Sequence, residues 1–201
     1  MRRTKQEAQI TRQSLLNAAL TVFSQKGYGS ARLEDIADAA GVTRGAVYHH
    51  FGGKPELYMA LVKDATVQGD QLIQSAIAQG GTFTEIAARI MTDSLRLVVD
   101  DPRFGEVMAL MLFKTGDSPE LGELKRLRFE QARSQVEGIA AFFRSGIQQG
   151  LLRADLDPYI AARGFLAYQN GVIMLWLANP QAFSLRESAD KFADLYLRGI
   201  V

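Results

Sequence analysis

Gly41 stands between two short apolar segments, and no other position limits the fold so tightly. Before it, Leu33, Ile36, Ala37 and Ala40 recur at helical spacing; after it, Val47 and Phe51 stand four residues apart. A helix that stops this abruptly needs a left-handed residue, and glycine adopts that backbone without a Cβ clash. Val42 then plugs the turn, and Thr43 is placed to cap the next helix. Two short helices joined by a tight turn containing Gly form a helix-turn-helix. Here it is "LEDIADAAGVTRGAVYHHF", residues 33–51. A preceding helix carries its own apolar stripe of Leu16, Leu20 and Phe23.

The rest of the chain keeps the same period, and no stretch alternates convincingly with period two. Asp101-Pro102, Ser118-Pro119 and Asp157-Pro158 each read as an N-cap followed by Pro at the first helical position. Thr82 with Glu85, and Ser184 with Glu187, have capping-box spacing. These signals predict an all-α chain of about nine helices, near 6–25, 33–40, 44–50, 55–78, 83–99, 102–114, 119–149, 158–178 and 184–199. The expected division is a three-helix helix-turn-helix domain over 1–54 and a larger helical domain over 55–201.

Composition excludes several classes. With no cysteine there is no disulfide framework, thiolate zinc site or cysteine nucleophile, which fits the cytoplasm. The N-terminal "MRRTKQEAQITRQ" lacks the apolar core of a secretory signal, and the longest apolar run, Val172 to Ala178, is too short to span a bilayer. No membrane association and no cofactor are expected. The net charge of +1 hides an asymmetry: residues 1–54 hold eight Lys/Arg against four Asp/Glu. A basic head on a mildly acidic body suits a polyanion.

His49 and His50 are the only histidines. Neighbours on a helix point about 100° apart, so the pair does not chelate one metal, and neither has the orienting acid that a catalytic base needs. A groove-binding helix accounts for them better. Thr43, Arg44 and Gly45 open the second helix of the unit, where side chains reach base edges. Arg44 suits guanine, and Gly45 allows close approach. Tyr48 and His50 can donate to phosphates further along, and Lys54 opens the next helix, where its charge and the helix dipole both favour an anion.

"GSARLEDIADAAGVTRGAVYHHFGGKPELYMALV" resembles the DNA-binding signature of TetR-family transcriptional regulators. Tyr48, Phe51, Lys54 and Leu57 carry the family's defining spacing, and the resemblance covers residues 9–62. "RRTKQEAQITR" and "VTRGAVYHHF" are most similar to the AcrR/TtgR branch, repressors of multidrug efflux genes. Two positions depart. His49 stands where an aromatic such as Trp is common, which leaves its own part in DNA binding open. Ala31 and Arg32 stand where hydroxyl residues are common; Arg32 lacks the capping oxygen but can reach a phosphate.

The resemblance implies a homodimer paired through the last two helices, double-stranded operator DNA as partner, and a small-molecule effector held by the C-terminal body. Within that body, Ile160, Gly164, Ala167, Gly171, Leu175 and Ala178 form one stripe, suited to close helix approach between or within subunits. Phe165, Gln169 and Trp176 lie on the other side of the same helix, and Phe104, Met108 and Met111 recur along an earlier one. With Phe142 these are candidate effector contacts, or simply core. The expected function is a non-catalytic repressor that a lipophilic or aromatic effector releases from a palindromic operator. The alternatives are an activator, an effector-independent DNA binder, or a helical carrier or enzyme.

Overall fold

The computed structural model describes residues 5–116 and 122–199. Among these there are nine α-helices, one π-helical turn and no strand. The helices are α1 (Lys5–Ser30), α2 (Leu33–Ala39), α3 (Arg44–Phe51), α4 (Lys54–Ala78), α5 (Phe83–Asp100), α6 (Pro102–Ala109), α7 (Gly122–Gln148), α8 (Pro158–Ala178) and α9 (Leu185–Arg198). The cap expected at Ser118-Pro119 lies outside the described residues. The chain forms two compact units, Met1–Val67 with Glu106–Leu124, and Gln68–Gly105 with Lys125–Val201.

The first unit is built on α1. Leu15, Leu16, Ala19, Leu20 and Phe23 are buried along one face of it. The helical ladder runs beyond the expected end at residue 25, but Gly27 interrupts it with φ 74° and ψ 158°. That break drops Tyr28 into the core, where its ring meets Phe23 at 5.5 Å and Tyr58 at 5.3 Å. Gly41 has the expected positive φ of 66°, and Val42 N–H returns to the Ala37 carbonyl at 3.0 Å, closing the turn between α2 and α3. Thr43 caps α3 by accepting from Ala46 N–H at 3.3 Å, and Val47 is fully buried.

This unit runs past the expected boundary at residue 54 because the early turns of α4 also bury Leu57, Tyr58, Leu61 and Val62. It takes in the end of α6 for a related reason. The segment expected to continue as plain helix to residue 114 widens into a π-turn over Leu110–Lys114. The Thr115 hydroxyl donates to the Leu110 carbonyl at 2.9 Å and shares a 2.6 Å hydrogen bond with the Tyr58 phenol. A side chain thus takes a carbonyl at the end of the helix, where the backbone ladder opens out. Lys114 fastens the turn to α1 by donating to the Ser24 carbonyl.

The second unit holds α5, α8, α9 and most of α7. Thr82 and Glu85 form the expected reciprocal capping box, at 3.3 and 2.8 Å. Asp157 accepts from Tyr159 and Ile160 N–H at the start of α8, Asp101 accepts from Phe104 N–H in α6, and Ser184 accepts from Glu187 N–H in α9. The core is a run of rings: Phe83 stacks on Phe142 at 4.4 Å, Phe143 meets Phe165 at 6.2 Å, and Phe165 meets Tyr196 at 5.6 Å. The Tyr196 phenol donates to the Ala161 carbonyl, and burial pushes its pKa up to about 12. Ion pairs Arg96–Asp190 and Arg186–Asp100 tie α5 to α9.

Gly27 occupies backbone that is close to glycine-only. Gly27→Ala is therefore expected to cost about 1–3 kcal/mol, read from the midpoint of denaturant unfolding. An unchanged midpoint would show that α1 reaches Tyr28 without this conformation.

Candidate nucleic-acid interface

Helix α3 has one anchored side and one bare end. Val47 is buried and Phe51 half-buried, with the Arg12 guanidinium of α1 lying 5.1 Å from the Phe51 ring centroid. Thr43, Arg44 and Gly45 are all exposed at its N-terminus. An added Cβ at Gly45 would meet nothing closer than the Thr43 hydroxyl at 3.8 Å, so a duplex backbone can approach there. Tyr48 is 45% exposed, His49 is exposed and His50 half-buried, which leaves a polar strip along the helix. The histidine rings meet edge to face at 5.4 Å.

Arg44 is not loose. Its Nη1 lies 2.6 Å from the Glu34 carboxylate of α2, and its Nη2 donates to the Tyr48 phenol at 3.0 Å. The hydrogen bond to Tyr48, then the charge of Glu34, raise its pKa above the ordinary arginine value. Arg32 precedes α2 without a capping oxygen, but its own N–H donates to the Asp35 carboxylate at 3.1 Å. That carboxylate also pairs with Lys26 at 2.9 Å; the Lys26 contact first, and the Arg32 N–H second, hold its pKa below the usual range. Arg32 itself is exposed.

Lys54 has a structural task. Its ammonium donates to the carbonyls of Tyr28 and Ala31, both at 3.2 Å, and sits 4.5 Å from the Tyr28 ring centroid. A cation here satisfies the carbonyls that the end of α1 leaves open and binds the start of α4 to them.

The family model described as "Bacterial regulatory proteins, tetR family" matches residues 15–61. That described as "MAATS-type transcriptional repressor, C-terminal region" matches residues 84–200. The HTH-type transcriptional regulator TtgR of Pseudomonas putida is 30% identical over 199 residues, 96% of this chain and 93% of its own. The chain belongs to the TetR family. Its fold is similar to that of NalD, the secondary repressor of the MexAB-OprM multidrug efflux pump in Pseudomonas aeruginosa (TM-score 0.88, 25% identity, 98% of each chain). It is also similar to the SmeT–triclosan complex (TM-score 0.81, 28% identity, 96% of this chain and 92% of that one). SmeT is the repressor of the Stenotrophomonas maltophilia efflux pump SmeDEF. The protein is a DNA-binding transcriptional repressor, not an enzyme. TetR regulators bind operators and small-molecule effectors and act as dimers.

The candidate effector contacts of this TetR regulator fall in different settings. Phe142 and Phe165 belong to the ring core and are joined through Phe143. Gln169 and Trp176 are half-buried on α8, and Phe104 is half-buried in the first turn of α6. Met108 and Met111, also half-buried, belong to the first unit. An open groove of about 610 Å³ lies elsewhere, between Ile10, Gln13, Ser14, Asn17, Ala18 and Thr21 of α1 and Ala39 of α2. No helix among the described residues is long and apolar enough to cross a membrane.

Sequence reasoning missed Arg12, Tyr28 and Glu34. None of the three carries a motif, and Glu34 is set apart only by its contact with Arg44. Because Lys54 holds α1 to α4, Lys54→Ala is expected to lower unfolding stability by about 1.5–3 kcal/mol as well as weaken DNA binding. Loss of DNA affinity with an unchanged unfolding midpoint would contradict the structural task.

Proposed function

We propose that the protein reads an inverted-repeat operator as a homodimer paired through α8 and α9, and leaves it when a small lipophilic or aromatic effector enters the C-terminal unit. The observation that carries the DNA half of this reading is the exposed Thr43–Arg44–Gly45 end on an otherwise anchored α3. Arg44 reads guanine, Thr43 and Gly45 bring the backbone close, Tyr48, His50 and Arg32 steady the phosphates, and Lys54, whose ammonium is held by the Tyr28 and Ala31 carbonyls, acts on DNA through the position of α3. His49, exposed beside them, adds a further phosphate contact. Such a protein works in the cytoplasm, where the chromosome is.

The pairing surface is supported by what α8 leaves uncovered. Ile160 is 61% exposed and Leu175 63%, with Gly164, Ala167 and Ala178 exposed between and beyond them. Leu195 of α9 is 65% exposed as well. An added Cβ at Gly171 would meet nothing within 4 Å, so that glycine leaves room for something outside the chain. Gly164 also serves its own subunit, since a Cβ there would lie 3.4 Å from the Tyr196 hydroxyl. An apolar α8 with small residues between large ones, beside the exposed Leu195 of the amphipathic α9, suits a self-complementary four-helix contact.

The effector half is supported by the triclosan complex of SmeT and by the half-buried Trp176 and Gln169. Gln169 puts an amide beside Trp176 on a largely apolar helix, which suits a polar group on an apolar ligand. Helix α4 runs from Lys54 to Ala78 without a break and contributes to both units, so a ligand that prefers one course of α4 biases the head. A tenfold loss of operator affinity takes about 1.4 kcal/mol of coupling.

Arg44→Ala is expected to cost about 1–3 kcal/mol on the operator and less on random duplex; equal loss on both would remove the readout role. Trp176 is the only tryptophan. Compounds that release the operator should therefore change its fluorescence, and Gln169→Ala should weaken them. Release by compounds that leave Trp176 silent and are indifferent to Gln169→Ala would place the effector elsewhere.

A further inference from the structure

Arg44 carries one charge and five N–H donors. In this structure Glu34 takes the charge at 2.6 Å, and the Tyr48 phenol accepts a second donor at 3.0 Å. Three donors remain, enough for the two acceptors, O6 and N7, that guanine offers in the major groove. A neutral base edge can therefore be read with the ion pair intact.

A phosphate asks for something different. It competes with Glu34 for the same charge, and once it wins, an uncompensated carboxylate stands beside a polyanion. The neighbouring carboxylate of Asp35 does not share this role, since Lys26 and the Arg32 N–H occupy it. The side chains of Arg44 and Glu34 are 57% and 52% exposed, and the guanidinium rests on the Tyr48 ring at 5.3 Å, so the pair is held on one side by Tyr48 and open to the duplex on the other.

We propose that Glu34 is a specificity-determining residue, which holds Arg44 away from phosphates and leaves it free only for base edges. The proposal rests on Arg44 as the base reader. Random duplex offers Arg44 chiefly phosphates, so Glu34 weakens non-specific binding; a correctly placed guanine uses the donors that Glu34 leaves. Glu34 acts through Arg44 and touches no base itself.

The test compares wild type, Glu34→Gln, Arg44→Ala and the double variant on two duplexes across a salt series. One duplex is the sequence enriched by the protein from a random library, the other a scrambled version of equal length. Glu34→Gln should raise affinity for the scrambled duplex about three- to tenfold and steepen its log–log salt slope by about 0.9, one additional phosphate contact. Operator affinity should stay within about twofold, so discrimination falls. In the Arg44→Ala background, Glu34→Gln should alter the two duplexes by the same factor. A Glu34→Gln effect equal on both duplexes with Arg44 present would overturn the proposal, as would selective loss of discrimination that persists without Arg44. If Arg44→Ala alone weakens both duplexes equally, the base-reading role fails and Glu34's with it. If Arg44→Ala is operator-selective and Glu34→Gln leaves discrimination intact, only the role of Glu34 fails.

Discussion

The ammonium of Lys54 is the contact on which the DNA-reading unit depends. It lies against the Tyr28 ring and donates to the carbonyls of Tyr28 and Ala31, where α1 has run out of its own hydrogen bonds. Tyr28 packs in turn on Phe23 and Tyr58, so one cation joins the end of α1 to the start of α4 through three fully buried rings. Helix α3 is eight residues long and buries only Val47 completely. It is too short to hold itself, and its orientation comes from the elements on either side of it. Fixing α1 to α4 fixes where Arg44 points.

The same cluster reaches a second segment. Tyr58 shares a hydrogen bond with Thr115, which closes the π-turn after α6, and Lys114 of that turn donates back to α1. The end of α6 is thus part of the reading unit in packing, although it follows more than fifty residues after α3 in sequence. Charge is arranged with similar economy. The head is basic, yet its leading arginine is paired with a carboxylate.

Local signals in the sequence announced local structure. Gly41, Thr43, Thr82 with Glu85, and Asp157-Pro158 mark helix ends because their effect lies within four residues of themselves, and each acts as its type predicts. The exposed positions on α3 were legible for the same reason: a buried Val47 and a half-buried Phe51 fix which faces remain. What could not be read depends on contacts distant in sequence. Lys54 was expected to face an anion from a helix start, and nothing local says that two carbonyls of another helix lie within its reach. The π-turn needs Thr115 and Tyr58, 57 residues apart. That Phe142 and Phe165 are linked through Phe143 depends on the packing of α7 on α8. Glu34 looks like any solvated helix residue until the turn at Gly41 folds it onto Arg44.

On the proposed function, two copies of α3, aimed by their α1–α4 contacts, read a symmetric site from their Arg44 ends. Selection of bound duplexes from a random library with the purified protein tests it most directly, followed by footprinting and stoichiometry on the enriched sequence. The expected result is an inverted repeat with guanine in each half-site, half-sites separated by about one or more helical turns, and an even number of chains on each repeat. Enrichment of a single asymmetric element bound by one chain, or no enrichment over the starting library, would contradict it.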